Sequence, residues 1–289
     1  MKVRKAVIPA AGLGTRVLPI TKAIPKEMLP IVDKPSIQYI VEEAVASGIT
    51  DILIISNRGK GAIEDHFDRA PELEERLLKG NKTALYNSVI EPTKLANIQF
   101  VRQKETKGLG HAVLCAKNFV GNEPFAILYG DDVIFNHGGT PVTKQLIDAY
   151  EKYGKCAVGM NECSLADVQK YSSMKTEHIE GRCYSISDMI EKPKPGEEFS
   201  LFSILGRVVM PPEIFDILEV TQPGAGGEIQ HTDAMKELSR TKGVTGVDLE
   251  GIRYDMGNKL GMLKAIVDVA LVHPEVAEGF REYLKSLEL

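Results

Sequence analysis

Residues 3–30 read VRKAVIPAAGLGTRVLPITKAIPKEMLP. The apolar start, Val3 to Ile8, reads as a buried strand, and Gly12 and Gly14 follow it closely. Glycine lets backbone approach a ligand and adopt conformations that a side chain forbids. Arg16 and Lys26 add fixed positive charge to the same loop. A strand that ends in a Gly-rich turn backed by cations is a phosphate cradle. The P-loop pattern and the dinucleotide fingerprint, counted from Gly12, both require a glycine at position 17, where a valine stands. The next strand, Ile52 to Ser56, runs into Asn57 and Arg58, with no acidic residue to hold the ribose of NAD. Pro9, Pro19, Pro25 and Pro30 forbid a long helix after the turn, so the loop is long and semi-rigid.

Outward from this loop, strands and helices alternate. Ser36 is expected to cap a helix with Ile37, Ile40, Val41, Ala44 and Val45 on its apolar face and Gly48 as its stop. Asp51–Ser56 is a strand, Gly61–Phe67 and Glu72–Lys79 are helical, Ile98–Val101 is a strand, and Gly110–Asn118 is a helix. Phe125–Tyr129 is a short strand ending at Gly130-Asp131-Asp132. Repeated β-α units predict an α/β fold with helices on both faces of the sheet. The second half is less regular. Strands are expected over Cys156–Asn161, Arg182–Ile190, Ser203–Met210 and Val244–Leu249, with helices over Glu213–Leu218 and Gln230–Ser239. A helix over Asn258–Val272 carries Leu260, Leu263, Ile266, Val267, Ala270 and Leu271 on one face, and Glu275–Leu287 is a last amphipathic helix. No linker or repeat interrupts the chain. The expectation is one domain over 1–289, with a C-terminal helical segment over about 258–289 available as an oligomer contact.

The 289 residues, 43% hydrophobic and 26% charged, have the balance of a globular chain. No apolar run reaches the ~18 residues of a membrane span, and the run after the basic N-terminus is too short for a signal peptide. A net charge of −5, no tryptophan and no basic stripe argue against a nucleic-acid partner. Cys115, Cys156, Cys163 and Cys183 have no metal spacing and read as reduced core thiols of a cytoplasmic protein. The histidines form no zinc motif, and His111 and His231 read as local hydrogen-bonding residues. An acidic chain can bind phosphorylated substrates only where local cations or a metal reverse the field.

Ligands of an open parallel sheet bind beyond the carboxyl ends of its strands. Four segments fall there: the opening loop, Gln103–Gly110, Gly130-Asp131-Asp132 and Tyr254-Asp255-Met256-Gly257. Asp131 or Asp132 suits Mg²⁺, which takes one or two carboxylates plus phosphates and water, and Asp255 is a candidate second carboxylate. The Gln103 amide can donate and accept at once, as a uracil or thymine edge requires, and Gly108 and Gly110 would let backbone pass close to a flat base. Glu191 can bind sugar hydroxyls and Lys192 a phosphate.

AAGLGTR at 10–16, PKEMLP at 25–30, IEDHFD at 63–68, RQKETKGLGHA at 102–112, GDD at 130–132, EKP at 191–193 and YDMGNKLG at 254–261 together resemble the bacterial UTP–glucose-1-phosphate uridylyltransferases, of the sugar-1-phosphate nucleotidylyltransferase superfamily. The resemblance runs over nearly the whole chain. It implies a Rossmann-like core with a mixed, mainly parallel sheet and C-terminal helices, Mg²⁺ dependence and a homo-oligomer, dimer or tetramer. It further implies UTP and glucose 1-phosphate as substrates and UDP-glucose and pyrophosphate as products. Ala11, Gly12, Gly14, Thr15 and Glu27 would lie on the nucleotide, with Gln103 and Gly108 at uracil. Arg16 and Lys26 would hold the triphosphate, and Asp131 and Asp255 would coordinate Mg²⁺. Glu191 would take glucose hydroxyls, Lys192 the sugar phosphate, and Ser172 stands where many members have a glycine facing the sugar. His231 likewise stands where members often have a leucine, and Ser200–Ser203 departs from their usual S-N-L-A. The rival readings are a related pyrophosphorylase using another sugar 1-phosphate or dTTP, and a non-catalytic nucleotide-binding regulator.

Overall fold

The computed structural model describes residues 2–287; positions 1, 288 and 289 of the expected 1–289 unit lie outside the described residues. Strand β1 (Lys5–Pro9) leads into the loop, which the prolines break into short 3-10 turns at Thr15–Val17, Ile20–Lys22 and Lys26–Met28. A small ribbon, β2 (Pro30–Ile31) and β3 (Lys34–Pro35), precedes α1 (Ser36–Ala46). There follow β4 (Asp51–Ser56), α2 (Gly61–Phe67), α3 (Pro71–Lys79), α4 (Thr83–Ile90), β5 (Asn97–Arg102), α5 (Leu109–Leu114), α6 (Lys117–Val120), β6 (Phe125–Leu128) and β7 (Asp132–Phe135). The second half holds α7 (Val142–Tyr153), β8 (Cys156–Glu162), α8 (Leu165–Lys170), β9 (Ser172–Glu180), β10 (Cys183–Glu191), β11 (Phe202–Met210), α9 (Ile214–Val220), α10 (His231–Thr241), β12 (Val244–Asp248), β13 (Ile252–Asp255), α11 (Lys259–Ala270) and α12 (Ala277–Ser286). Among the described residues, no helix is long and apolar enough to cross a membrane.

The main sheet has nine strands in the order β5-β4-β1-β6-β11-β8-β12-β10-β9. Only β11 and β10 run against the others, so the sheet is mixed but mainly parallel. Parallel strands need helical crossovers, which cover both faces and bury both sides of each strand. Alternate residues of β1 therefore enter opposite cores, Ala6 and Ile8 one and Val7 the other. From β1 the chain builds outward through β4 and β5, then crosses back to place β6 on the other side of β1. This reversal opens a crevice above the carboxyl ends of β1 and β6, the usual ligand position of such sheets.

Several local expectations change. Ser36 is the first residue of α1 rather than its cap, and its hydroxyl donates to the Glu27 carbonyl at 2.9 Å. The expected helix over 110–118 divides into α5 and α6. The apolar face read along 258–272 is only partly the packed one: Ala270, which lies on it, is buried together with Ala265 and Val269, while Leu260 and Leu263 are 62% and 55% exposed. The amphipathic α7 escaped the sequence reading although Val142, Leu146 and Ile147 recur at helical spacing and Gly154 stops it in a left-handed turn. Strands β7, β9 and β13 escaped it too, being short or largely polar.

Candidate active site

The crevice has two compartments that share Leu109, Tyr129 and Asp131. The outer one, about 410 Å³, is lined by Ala11, Gly12, Gly14, Thr15 and Lys26 of the opening loop and by Gln103 and Gly108 across from them. The inner one, about 210 Å³, is lined by Arg16, Ser172, Glu191, Thr232, Arg253 and Asp255 among others. Segments far apart in sequence are thus brought to one cleft, with Asp131 on the boundary.

The loop is anchored on both sides. Ala10 N–H donates to the Ile55 carbonyl at 2.8 Å, and the Asn57 amide donates to the Ala11 carbonyl. Behind the loop, Glu27 is fully buried, and both its carboxylate oxygens accept from Lys60, at 2.7 and 2.9 Å. Burial raises the Glu27 carboxyl pKa and lowers that of the Lys60 ammonium, and their contact opposes both changes. Glu27 therefore supports the loop from beneath, while the neighbouring Lys26 faces the outer compartment. A sequence pattern offers no route to the partner Lys60.

Opposite the loop, the Gln103 amide nitrogen lies 3.1 Å from the Gly108 carbonyl and 2.9 Å from His111 Nδ1. With its N–H groups so engaged, the amide oxygen remains as an acceptor. Gly108 has φ +99°, and a Cβ there would stand 2.7 Å from Glu228 Cβ and 2.8 Å from the Ile229 carbonyl. Its smallness thus serves contact with the 228–229 segment, a reason the sequence did not reveal.

At the junction the loop cations Arg16 and Lys26 each meet a carboxylate. Lys26 Nζ lies 2.5 Å from Asp131 Oδ2, and Arg16 Nη1 lies 3.1 Å from Asp255 Oδ2. Burial disfavours the Lys26 ammonium, yet Asp131 and Glu27 outweigh it and raise its pKa. Arg16 behaves alike: burial opposes its charge, while Asp255 and Asp131 more than compensate. Asp255 also accepts from the Tyr171 hydroxyl and the Gly257 N–H, both at 2.8 Å. Burial works against its ionised form, but hydrogen bonding and Arg16 hold its pKa below the ordinary value.

Asp132 faces away from this exchange. It is 3% exposed, its carboxylate takes two contacts from Arg253, at 2.7 and 2.9 Å, and it accepts from Gly206 N–H at 3.2 Å. Arg253 in turn stacks on Tyr171, 4.8 Å from the ring centre. Beneath, the fully buried Arg207 donates to the Asp132 carbonyl at 2.8 Å and pairs with Glu43 at 2.7 Å. Asp132 is thereby held by the framework, whereas Asp131 lies beside Lys26 and Arg16.

The donor set fits a small hard cation. A Cβ placed on Gly257 would lie 2.5 Å from Arg16 Nη2, 2.7 Å from Asp131 Oδ2 and 2.8 Å from Asp255 Oδ1, so the two oxygens face one point that the Arg16 guanidinium also reaches. Two carboxylates with phosphates and water are what Mg²⁺ accepts. Among the described residues no group of three or more His, Cys, Asp or Glu could hold a metal ion.

In the inner compartment, Glu191 Oε2 accepts from the Thr232 hydroxyl at 2.8 Å, and burial raises the Glu191 pKa. Ser172 Oγ meets Ser203 Oγ at 3.2 Å and accepts from Ile204 N–H at 3.0 Å. Lys192 stands outside this lining, exposed, with φ +46° and with its N–H bonded to the Tyr171 carbonyl at 2.9 Å. No ion pair engages its side chain among the described residues. Such a conformation is costly for a non-glycine residue and is found where the surroundings impose it. Tyr171, Thr232 and Arg253 were not singled out from the sequence, since isolated residues of these types carry no pattern.

The family model described as nucleotidyl transferase matches residues 5–270. The chain belongs to the nucleotidyl transferase family. Within this family it is 51% identical, over 99% of its own length and 96% of the relative's, to the UTP–glucose-1-phosphate uridylyltransferase YngB of Bacillus subtilis. It is 50% identical, over 100% and 99%, to a UTP–glucose-1-phosphate uridylyltransferase of Staphylococcus epidermidis. The crystal structure of a UDP-glucose pyrophosphorylase complexed with UDP-glucose superimposes with a TM-score of 0.82 at 42% identity, covering 91% of this chain and 97% of that one. The UTP-bound enzyme of Acinetobacter baumannii gives 0.90 at 35% identity, covering 99% and 100%.

Proposed function

We propose that this protein transfers a uridylyl group from UTP to α-D-glucose 1-phosphate, giving UDP-glucose and pyrophosphate. The observation that carries the reading is the pair of compartments meeting at Asp131, one lined by a phosphate cradle and an amide, the other by a carboxylate and hydroxyls. The outer compartment takes UTP, with the Gln103 oxygen and the Gly108 backbone at uracil and Ala11, Gly12, Gly14 and Thr15 along the nucleotide. Glu27 supports that loop from its pair with Lys60. The inner compartment takes glucose 1-phosphate, with Glu191 and the backbone near Ser172 at its hydroxyls.

A phosphate oxygen of glucose 1-phosphate attacks the α-phosphorus of UTP. The new P–O bond forms as the bond to the bridging oxygen of the β-phosphate breaks, and pyrophosphate leaves with that electron pair. The nucleophile is already anionic, so the protein need supply no base. Its task is to hold two mutually repelling anions in line. Arg16 and Lys26 stabilise the departing pyrophosphate, and Lys192 swings from the rim to align the sugar phosphate. Asp131 and Asp255 would hold Mg²⁺, which when bound offsets charge on the α-phosphate and the sugar phosphate.

The same reading includes a single domain, a cytoplasmic location and a homo-oligomer, dimer or tetramer. Exposed Leu260, Leu263 and Tyr283 on the C-terminal helices, with Val272 in the turn between them, support self-association through that segment. The test is to offer UTP and dTTP with a panel of sugar 1-phosphates and follow pyrophosphate. UTP with glucose 1-phosphate is expected to be the best pair. Preference for another pair would reassign the substrate, and no release with any pair would favour a non-catalytic regulator.

A further inference from the structure

Two residues of the inner compartment, His231 and Arg253, each carry a buried polar atom without a hydrogen-bond partner among the described residues. His231, first residue of α10, is 1% exposed, and its Nδ1 lies 3.2 Å from the Tyr129 hydroxyl. Its Nε2 is buried and has no hydrogen-bond partner among the described residues. The Tyr129 hydroxyl has no other hydrogen bond among them, and when it donates to Nδ1 the ring proton stands on Nε2. Burial depresses the His231 pKa to about 4, which keeps the ring neutral near pH 7. Buried donors are normally paired, and one that is not calls for an explanation.

Both His231 and Glu191 line this compartment, and Thr232, the next residue of α10, donates to Glu191. The Glu191 acceptor and the neutral ring of His231 therefore border the same space, with Nε2 just beneath its surface. A sugar hydroxyl can both give and accept a hydrogen bond, so neighbouring hydroxyls suit such a pair. We propose that His231 is a specificity-determining residue, its Nε2–H donating to one hydroxyl oxygen of the bound sugar phosphate. The assignment rests on the sugar-phosphate reading of the compartment. A buried donor built for a hydroxyl discriminates against the analogue that lacks it, because it is then left unpaired. An apolar side chain would not discriminate.

The experiment measures kcat and KM for glucose 1-phosphate and its 2-, 3-, 4- and 6-deoxy analogues at saturating UTP and Mg²⁺, in the wild type, His231→Leu and His231→Gln. The wild type should disfavour one deoxy analogue through this contact. His231→Leu should raise the KM for glucose 1-phosphate about tenfold, the effect of one neutral hydrogen bond, and lose the discrimination against that analogue. Its kcat and its KM for UTP should stay within about twofold of the wild type. His231→Gln, which returns an amide N–H near the Nε2 position, should restore part of the discrimination; a structural role alone would not produce this split. An unchanged KM and deoxy pattern in His231→Leu would overturn the proposal while leaving the proposed reaction standing. So would a wild type indifferent to every deoxy analogue, a result that needs no variant to fold. A wild type that turns over no sugar 1-phosphate would instead overturn the reaction, and this assignment with it.

Discussion

Lys26 Nζ lies 2.5 Å from Asp131 Oδ2, so a cation of the opening loop and a carboxylate from 105 residues further along the chain form one ion pair at the boundary of two compartments. Arg16 repeats the arrangement with Asp255. A triphosphate would compete for the two cations, and a divalent ion for the two carboxylates. Each exchange makes the other easier, since it frees a charge that needs a new partner. In this way an acidic chain, with a net charge of −5, can accept two anionic substrates.

The Arg16 guanidinium is half-exposed and, among the described residues, bonded only to groups of the junction, so its removal should spare the fold. Arg16→Ala is expected to lower kcat about a hundredfold, the scale of a lost charge-stabilising contact. Steady-state pyrophosphate release, together with an unchanged circular dichroism spectrum, checks this. Normal turnover would remove Arg16 from the chemistry.

Gly257 tests the convergence of the two carboxylates. Its Cβ would stand 2.5 Å from Arg16 Nη2 and within 2.8 Å of Asp131 and Asp255 oxygens. These are side-chain ends that can move, so Gly257→Ala should fold, while its methyl group occupies the point where the oxygens meet. We expect at least about a hundredfold loss of turnover, with a raised Mg²⁺ requirement in a metal titration.

The buried pair of Arg207 and Glu43 carries the Asp132 carbonyl and thus the turn that presents Asp131. Glu43→Ala leaves a fully buried guanidinium without its carboxylate, and should destabilise the protein by about 3–5 kcal/mol. Urea unfolding measures it. Replacing both partners, Glu43→Leu with Arg207→Met, should recover part of the loss.

His231 makes stability depend on pH. Its folded pKa is about 4 against an ordinary 6.5. Above about pH 6.5 both states are neutral and the full stability is present. As the pH falls from there toward 4, the unfolded chain binds a proton that the folded one refuses, so stability declines. The decline from this residue is roughly 3 kcal/mol, since each pH step between the two values removes about 1.4 kcal/mol. Urea midpoints at pH 7 and pH 4.5 should therefore converge more closely in His231→Leu than in the wild type.

The sequence carried the parts of the site that lie within one strand and its loop. Gly12, Gly14, Arg16 and Lys26 follow β1, and Asp131 follows β6, so locating the strand ends located these residues. What pairs with them is set by tertiary packing. Arg16 and Asp255 are 239 residues apart, and Glu27 finds Lys60 only because α2 begins behind the loop. Periodicity also misled in part along α11, where Ala265 and Val269, off the expected face, pack inward and Leu260 and Leu263 face out. Periodicity shows that a helix has an apolar stripe, but not which residues its neighbours have room for.

The most direct test of the whole account mixes the purified protein with UTP and glucose 1-phosphate, with Mg²⁺ or with a chelator, and measures UDP-glucose and pyrophosphate together. The account predicts equimolar products that depend on Mg²⁺ and are nearly abolished when Asp131 and Asp255 are both replaced by alanine. Products formed as fast in chelator, or undiminished in that double variant, would contradict it.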